Sequence, residues 1–286
     1  MDKATFGRLA FTFATSFFSP AKTKQMSNLL STLNDLTPVI VIVCMALFMT
    51  MEHYLPYFEQ GAFRKKQRTR NLVIVALAFV LNGILGTGIA GVIMTAGSRH
   101  FGLLYHILPE NSLIAIVSGI FFIDLNSYAF HRIYHKIPFF WRFHRVHHAD
   151  TLVDSTSGLR LHPIEFLLQS LTQVTVLPLL GVSITSFVIY FVFALPWFLL
   201  NHSNLQFPAW FERYGSLLLV TPNWHRVHHS NYRPETDSNF GDIFTIWDRL
   251  FGTARKADVE KMTFGLENFR EEGDQTVGGL LKMPFR

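Results

Sequence analysis

Residues 166–201 read FLLQSLTQVTVLPLLGVSITSFVIYFVFALPWFLLN, and none of them is charged. At about 1.5 Å of rise per residue, a single helix of this length is too long to cross comfortably the roughly 30 Å hydrocarbon core of a bilayer. Pro178 and Gly181 fall near the middle of the run. The stretch therefore reads as a helical hairpin that enters and leaves on one face. Such a hairpin returns His202, at its end, to the face where His162, just before its start, lies.

Three further apolar runs lie upstream. Residues 36–51 carry no charge, and their apolar character continues to Phe58; residues 71–98 are uncharged; residues 111–130 are interrupted only by Asp124. The chain as a whole is 49% hydrophobic and 16% charged, against about 25% charged in ordinary soluble domains. Together the runs predict an all-α integral membrane helical bundle of about three full spans plus the hairpin. Between the first two runs stand Arg64, Lys65, Lys66, Arg68 and Arg70 with no acid among them. Lys and Arg concentrate in cytoplasmic loops, so this loop is expected inside. Counting crossings from it then places a histidine-rich cap, from His131 onward, on the cytoplasmic side.

The expected organisation is an N-terminal segment over 1–35, either an amphipathic helix in the membrane interface or a poorly ordered terminus, two spans and the basic loop over 36–110, a catalytic domain over 111–253, and a soluble cytoplasmic tail over 254–286. Residues 1–35 lack the basic start, apolar core and cleavage site of a signal peptide. The net charge of +5 suits anionic headgroups, and no zinc-finger, RRM or homeodomain pattern argues for nucleic acid. Gly86, Gly88 and Gly91 have GxGxxG spacing, but the strand and βαβ unit of a dinucleotide site do not fit an apolar membrane helix. They read instead as small residues for close helix packing. The single cysteine, Cys44, excludes an internal disulfide and a thiolate-held iron–sulfur cluster.

The chemistry is concentrated in histidine. His131 and His135 occur in HRIYH; His144, His147 and His148 in HRVHH; His225, His228 and His229 in a second HRVHH. Residues four apart share a helix face, so each motif can converge its imidazoles on one metal-bearing face. At this histidine frequency HxxHH is expected about 0.03 times by chance, and it occurs twice. Protonated, eight clustered imidazoles repel; neutral, each needs a polar partner at membrane depth, where unsatisfied groups are costly. Metal ions resolve both problems. His162, in HPIE, and His202, in NHSN, are expected on the same face and bring the candidate ligands to ten. One zinc ion takes about four ligands, so this number suits two ions. Imidazole serves zinc, copper, iron and nickel alike, so ligand type does not choose among them.

These residues resemble the fatty acid hydroxylase and sterol desaturase superfamily from about residue 110 to 253. The resemblance rests on HxxxH after a span, Trp141 to His148, His162 to Glu165, the hydrophobic hairpin, Trp224 to His229, then Asn239, Phe240, Gly241, and Trp247, Asp248, Arg249 with FGT after. It implies a membrane-bound di-iron oxygenase that hydroxylates or desaturates a lipid with O2. The family's ligands carry over to His131, His135, His144, His147, His148, His225, His228 and His229, with His162 and His202 as the ninth and tenth. It further implies a separate electron donor, a ferredoxin or cytochrome b5-type protein, because no flavin, NAD or cysteine-cluster motif is found. The basic residues Lys136, Arg142 and Arg226 are candidates for docking it. Either a bacterial inner membrane or the endoplasmic reticulum fits.

Asp124 lies seven residues before His131, on nearly the same helix face. A carboxylate inside a span is a functional candidate, here as an acceptor for an imidazole N–H; a cap or an ion pair with Arg132 or Arg145 is the alternative. Asn239 and Asp248 are expected to support the site rather than bind metal. Two other classes stay open. A zinc-dependent membrane hydrolase would want a carboxylate base, and no HExxH appears. A non-catalytic metal-binding or transport protein would place its ligands near the bilayer midplane.

Overall fold

The computed structural model describes residues 20–61, 63–110 and 112–286. The expectation for residues 1–19 falls outside them, while residues 20–35 begin the first helix. Five long helices make the bundle: α1 (Pro20–Tyr54), α2 (Phe63–Ser98), α4 (Leu113–Lys136), and the hairpin α6 (Pro163–Leu180) and α7 (Ile184–His202). A short α3 (Leu103–Ile107) joins α2 to α4. The five are long and apolar enough to cross a membrane. Among the described residues there are no strands, only three isolated bridges.

The hairpin turns where expected. Gly181 caps α6 in the left-handed region at φ 73°, where a side chain is strained. Ser183 restarts the chain by accepting from Ser186 N at 3.1 Å. Pro138 occupies the start of α5 (Pro138–His148), so α4 ends at Lys136 and the chain bends at once into the first HRVHH. Pro222 likewise starts α8 (Pro222–His228), which carries the second.

The C-terminal ends of α1, α4 and α7 and the N-terminal ends of α2 and α6 meet on one side. Buried charges fasten them. Arg68 of α2 pairs with Glu52 of α1 and with Asp154 at 2.6 Å. Glu52 also accepts from Ser155 N and Asn204 N, each at 2.8 Å. Asp150 accepts from Asn71 at 2.8 Å and Ser157 at 2.7 Å, and pairs with Arg160 at 3.2 Å. Between helices in lipid there is little hydrophobic driving force, so close packing and polar contacts carry the association. Removing one partner of such a buried pair costs about 3–5 kcal/mol. Arg68 thus belongs to this strut rather than to a free basic loop.

Two expectations are corrected. Among the described residues, nothing lies within 4 Å of a side chain placed at Gly86, Gly88 or Gly91, so these glycines make no close helix contact there. The tail does not extend freely: Leu280 of α9 (Val277–Lys282) and Met283 are fully buried, in one cluster with Ile74, Val146 and Ala149. Arg145 donates to the carbonyls of Met283 and, at 2.7 Å, Arg286. The tail is therefore part of the cap.

Candidate metal centre

Nine buried histidines gather in two groups where α4, α5, α7 and α8 meet. His131, His135, His144, His148 and His228 form one; His147, His202, His225 and His229 form the other. Within each group, one ligand atom from every residue lies within 4.8 Å of the rest. The Nε2 atoms come closest: His135 to His148 at 3.1 Å, His148 to His144 at 3.2 Å, His202 to His147 at 3.1 Å and to His225 at 2.9 Å, and His229 to both His202 and His225 at 3.1 Å.

These contacts cannot all be hydrogen bonds. A ring nitrogen that carries the proton has no lone pair with which to accept. In the triangle of His202, His225 and His229, at least one contact must set two lone pairs, or two N–H groups, against each other. A cation between them removes the conflict. Nitrogen ligands about 2.0–2.1 Å from one ion and at right angles to one another lie about 3 Å apart, which is the spacing found. The donor set fits two metal ions. Burial, and then the neighbouring imidazoles, hold His147, His148, His225 and His229 well below the ordinary histidine pKa. They are therefore neutral and able to ligate.

The remaining nitrogens are oriented from outside. His144 Nδ1 donates to Glu165 Oε1 at 2.6 Å, and His135 Nδ1 to Asp237 Oδ1 at 3.3 Å. His131 Nδ1 donates to the Phe240 carbonyl at 2.9 Å, and His228 Nδ1 to that of Ser238 at 2.8 Å. His202 Nδ1 faces the Phe198 carbonyl and Asn201 Oδ1, both at 2.7 Å. Gly158 lets the 155–159 turn press on α7 here; a Cβ would meet the Phe198 carbonyl at 2.5 Å and His202 Nδ1 at 3.2 Å.

His162 is not brought into either group. It caps α6, with Nδ1 accepting from Ile164 N at 3.1 Å and Nε2 against the Leu281 carbonyl at 3.2 Å. Both ring nitrogens are thereby engaged. The residue of HPIE that reaches the centre is Glu165. Its signal in the sequence is that of a lone carboxylate at the head of an uncharged run, the same signal that singled out Asp124.

Asp124 meets no imidazole and neither Arg132 nor Arg145. It accepts from Tyr190 Oη at 2.9 Å, Trp247 Nε1 at 2.8 Å, and the Ile243 and Phe244 amides at 3.3 Å each. It ties α4 and α7 to the 240–247 loop that supplies the Phe240 carbonyl to His131. Asp248 holds that loop from the other end, accepting from the Phe240 and Gly241 amides at 2.7 and 3.0 Å. Asn239, at φ 52°, donates to the Trp224 and Arg255 carbonyls at 2.9 Å each. Neither belongs to the two histidine groups; both brace backbone next to the Phe240 carbonyl. Arg226 is buried, donates to the Ser203 and Leu205 carbonyls at 2.7 and 2.8 Å, and stacks 4.3 Å from the centroid of Tyr57. It is no docking residue. Lys136 and Arg142 remain exposed.

Residues 116–253 match the family model described as fatty acid hydroxylase. The chain is 27% identical over 224 residues to ornithine lipid hydroxylase OlsE of Rhizobium tropici, covering 75% of this chain and 66% of that protein. It is 31% identical over 171 residues to human alkylglycerol monooxygenase, covering 56% and 34%. Against human cholesterol 25-hydroxylase the identity is 27% over 167 residues, covering 57% and 60%. The chain thus spans from about a third to just under two-thirds of these relatives' lengths. No solved structure matches it.

Proposed function

We infer from the match of residues 116–253 to the fatty acid hydroxylase family model that the chain is a multi-pass membrane oxidoreductase of that family. Its proposed reaction is the O2-dependent hydroxylation of a membrane lipid at a di-iron centre. The observation that carries this reading is the pair of buried histidine groups at the polar ends of membrane-length helices. Iron bound there would supply the dioxygen chemistry that an unactivated C–H bond requires.

The chain's own residues have three tasks. Nine imidazoles would hold the ions: His131, His135, His144, His148 and His228 at one position, His147, His202, His225 and His229 at the other. Glu165, Asp237 and the Phe240, Ser238 and Phe198 carbonyls fix ring orientation and tautomer. Phe240, fully buried and packed edge-on against His131, His135 and His228, helps wall the centre from water. Glu165 and Asp237 are committed to backing His144 and His135, and Asp242, 3.6 Å from His131 Nδ1, accepts from Ser127; these engagements speak against a free base for a zinc hydrolase. The groups sit at helix ends and in the cap, which disfavours transport through the midplane.

The names of the relatives speak for hydroxylation over desaturation and for a lipid substrate. We place the centre on the cytoplasmic side, from the basic segment 64–70, and assign electron delivery to a separate ferredoxin or cytochrome b5-type donor that meets Lys136 and Arg142.

The test is an untargeted mass-spectrometric comparison of lipids from cells expressing the chain or its His225→Ala form. A lipid that gains one oxygen only with the intact chain is expected. A lipid that loses two hydrogens instead would replace hydroxylation by desaturation. Zinc in place of iron, after iron-replete growth, would overturn the oxygenase reading.

A further inference from the structure

The Nδ1 atoms divide the nine histidines unevenly. In the five-histidine group four have an acceptor: His144 on Glu165, His135 on Asp237, His131 on the Phe240 carbonyl and His228 on the Ser238 carbonyl. Only His148 Nδ1 lacks one. In the four-histidine group only His202 has an acceptor, while His147, His225 and His229 Nδ1 are buried without a partner. Carboxylates follow the same division. Glu165 and Asp237 contact Nδ1 atoms of the first group, and Asp242 approaches His131 Nδ1 at 3.6 Å. Among the described residues, no carboxylate lies within ion-pair distance of a ring nitrogen in the second group.

We propose that the two metal positions are unequal by construction: the five-histidine position, backed chiefly by Glu165 through His144, retains its ion, and the four-histidine position is the exchangeable one. The proposal rests on reading the nine histidines as ligands of two ions. An Nδ1–H held by an acceptor leaves the Nε2 lone pair facing the ion, and a carboxylate acceptor raises that nitrogen's basicity. A buried N–H without an acceptor gains neither benefit. Among the described residues the Glu165 side chain has no other hydrogen-bond partner: its Oε2 is buried and unpaired. A carboxylate kept at the head of a membrane helix solely against His144 is a positioning residue for that ligand.

The experiment is a chelator challenge of the full-length chain, loaded with iron in detergent, with retained metal followed over time. For the wild type two phases are expected, about one ion leaving fast and one slowly. Glu165→Gln keeps the shape and removes the charge. It is expected to weaken the slow ion about 10–100-fold, the usual effect of losing such a partner, so that the phases merge. Asp237→Asn, outside the membrane spans, should act in the same direction but more weakly, given its 3.3 Å contact, and carries the test if Glu165→Gln fails to fold. Asn201→Ala should speed only the fast phase. A wild type that loses both ions in one phase, or a folded Glu165→Gln chain with an unchanged slow phase, overturns the proposal. A wild type that binds fewer than two ions overturns the di-metal reading beneath it as well.

Discussion

Residues 144–148 and 225–229 are the same five residues, HRVHH, yet they make different parts of the centre. The first copy sends His144 and His148 to the five-histidine group and His147 to the other; the second sends His225 and His229 to the four-histidine group and His228 across. Helix geometry explains the exchange. Positions i and i+4 lie about 40° apart around the axis, whereas i+3 falls about 60° to the other side of i. The outer pair of each motif stays with one histidine group and the inner histidine reaches the other. One short motif, used twice face to face, therefore interlocks the two histidine groups. The two arginines show the reverse: Arg145 binds the tail at the cap's rim, while Arg226 is sealed beneath the second copy.

The largest effect should come from breaking the exchange. His147→Ala and His228→Ala are each expected to abolish activity. The metal they lose should follow the crossed pattern. His147→Ala should match His225→Ala in losing the four-histidine ion, and His228→Ala should match His144→Ala. Metal content and the Mössbauer signal of each purified variant would read this out. A His147→Ala chain that loses the same ion as His144→Ala would refute the crossed assignment.

The arginines offer the next contrast. Arg226→Ala strands the Ser203 and Leu205 carbonyls in a buried position and removes the contact with Tyr57. A loss of roughly 2–4 kcal/mol is expected from the unsatisfied groups. Arg145→Ala, partly exposed at the tail, should cost about 1 kcal/mol. Thermal melting of the detergent-solubilised variants would rank them, and equal destabilisation would erase the distinction drawn between the two copies.

Much of this was legible in the sequence because it depends on local period. The uncharged run 166–201, with Pro178 and Gly181 inside it, has one economical fold, and the spacing of HRVHH marks histidines that share a helix. The crossing of His147 and His228 was not legible, since it depends on how α5 and α8 face each other. For the same reason His162 and Glu165 could not be told apart as the useful residue of HPIE: a capping histidine and a ligand read alike until the helix start is placed. The tail read as solvated because its charges are visible in sequence, whereas the buried seats of Leu280 and Met283 belong to α2 and α5. Gly86, Gly88 and Gly91 misled in the opposite sense, because small residues allow a close contact without requiring one.

The smallest effect, and the sharpest, concerns Asp124. Its four donors, Tyr190, Trp247 and the amides of Ile243 and Phe244, fix the 240–247 loop that supplies the Phe240 carbonyl. That carbonyl orients His131, in the five-histidine group. In Asp124→Asn the amide NH2 replaces one acceptor and faces a donor, at a cost of about 1–3 kcal/mol. Insertion and helix content should be unchanged, because α4 keeps its caps and its apolar face. Turnover should fall several-fold, and the slowly exchanging ion alone should become easier to remove. If both ions loosened equally, the loop would be acting on the whole bundle. If turnover and retention both stayed at wild-type values, Asp124 would be a tether between α4 and α7 with no hold on the metal centre.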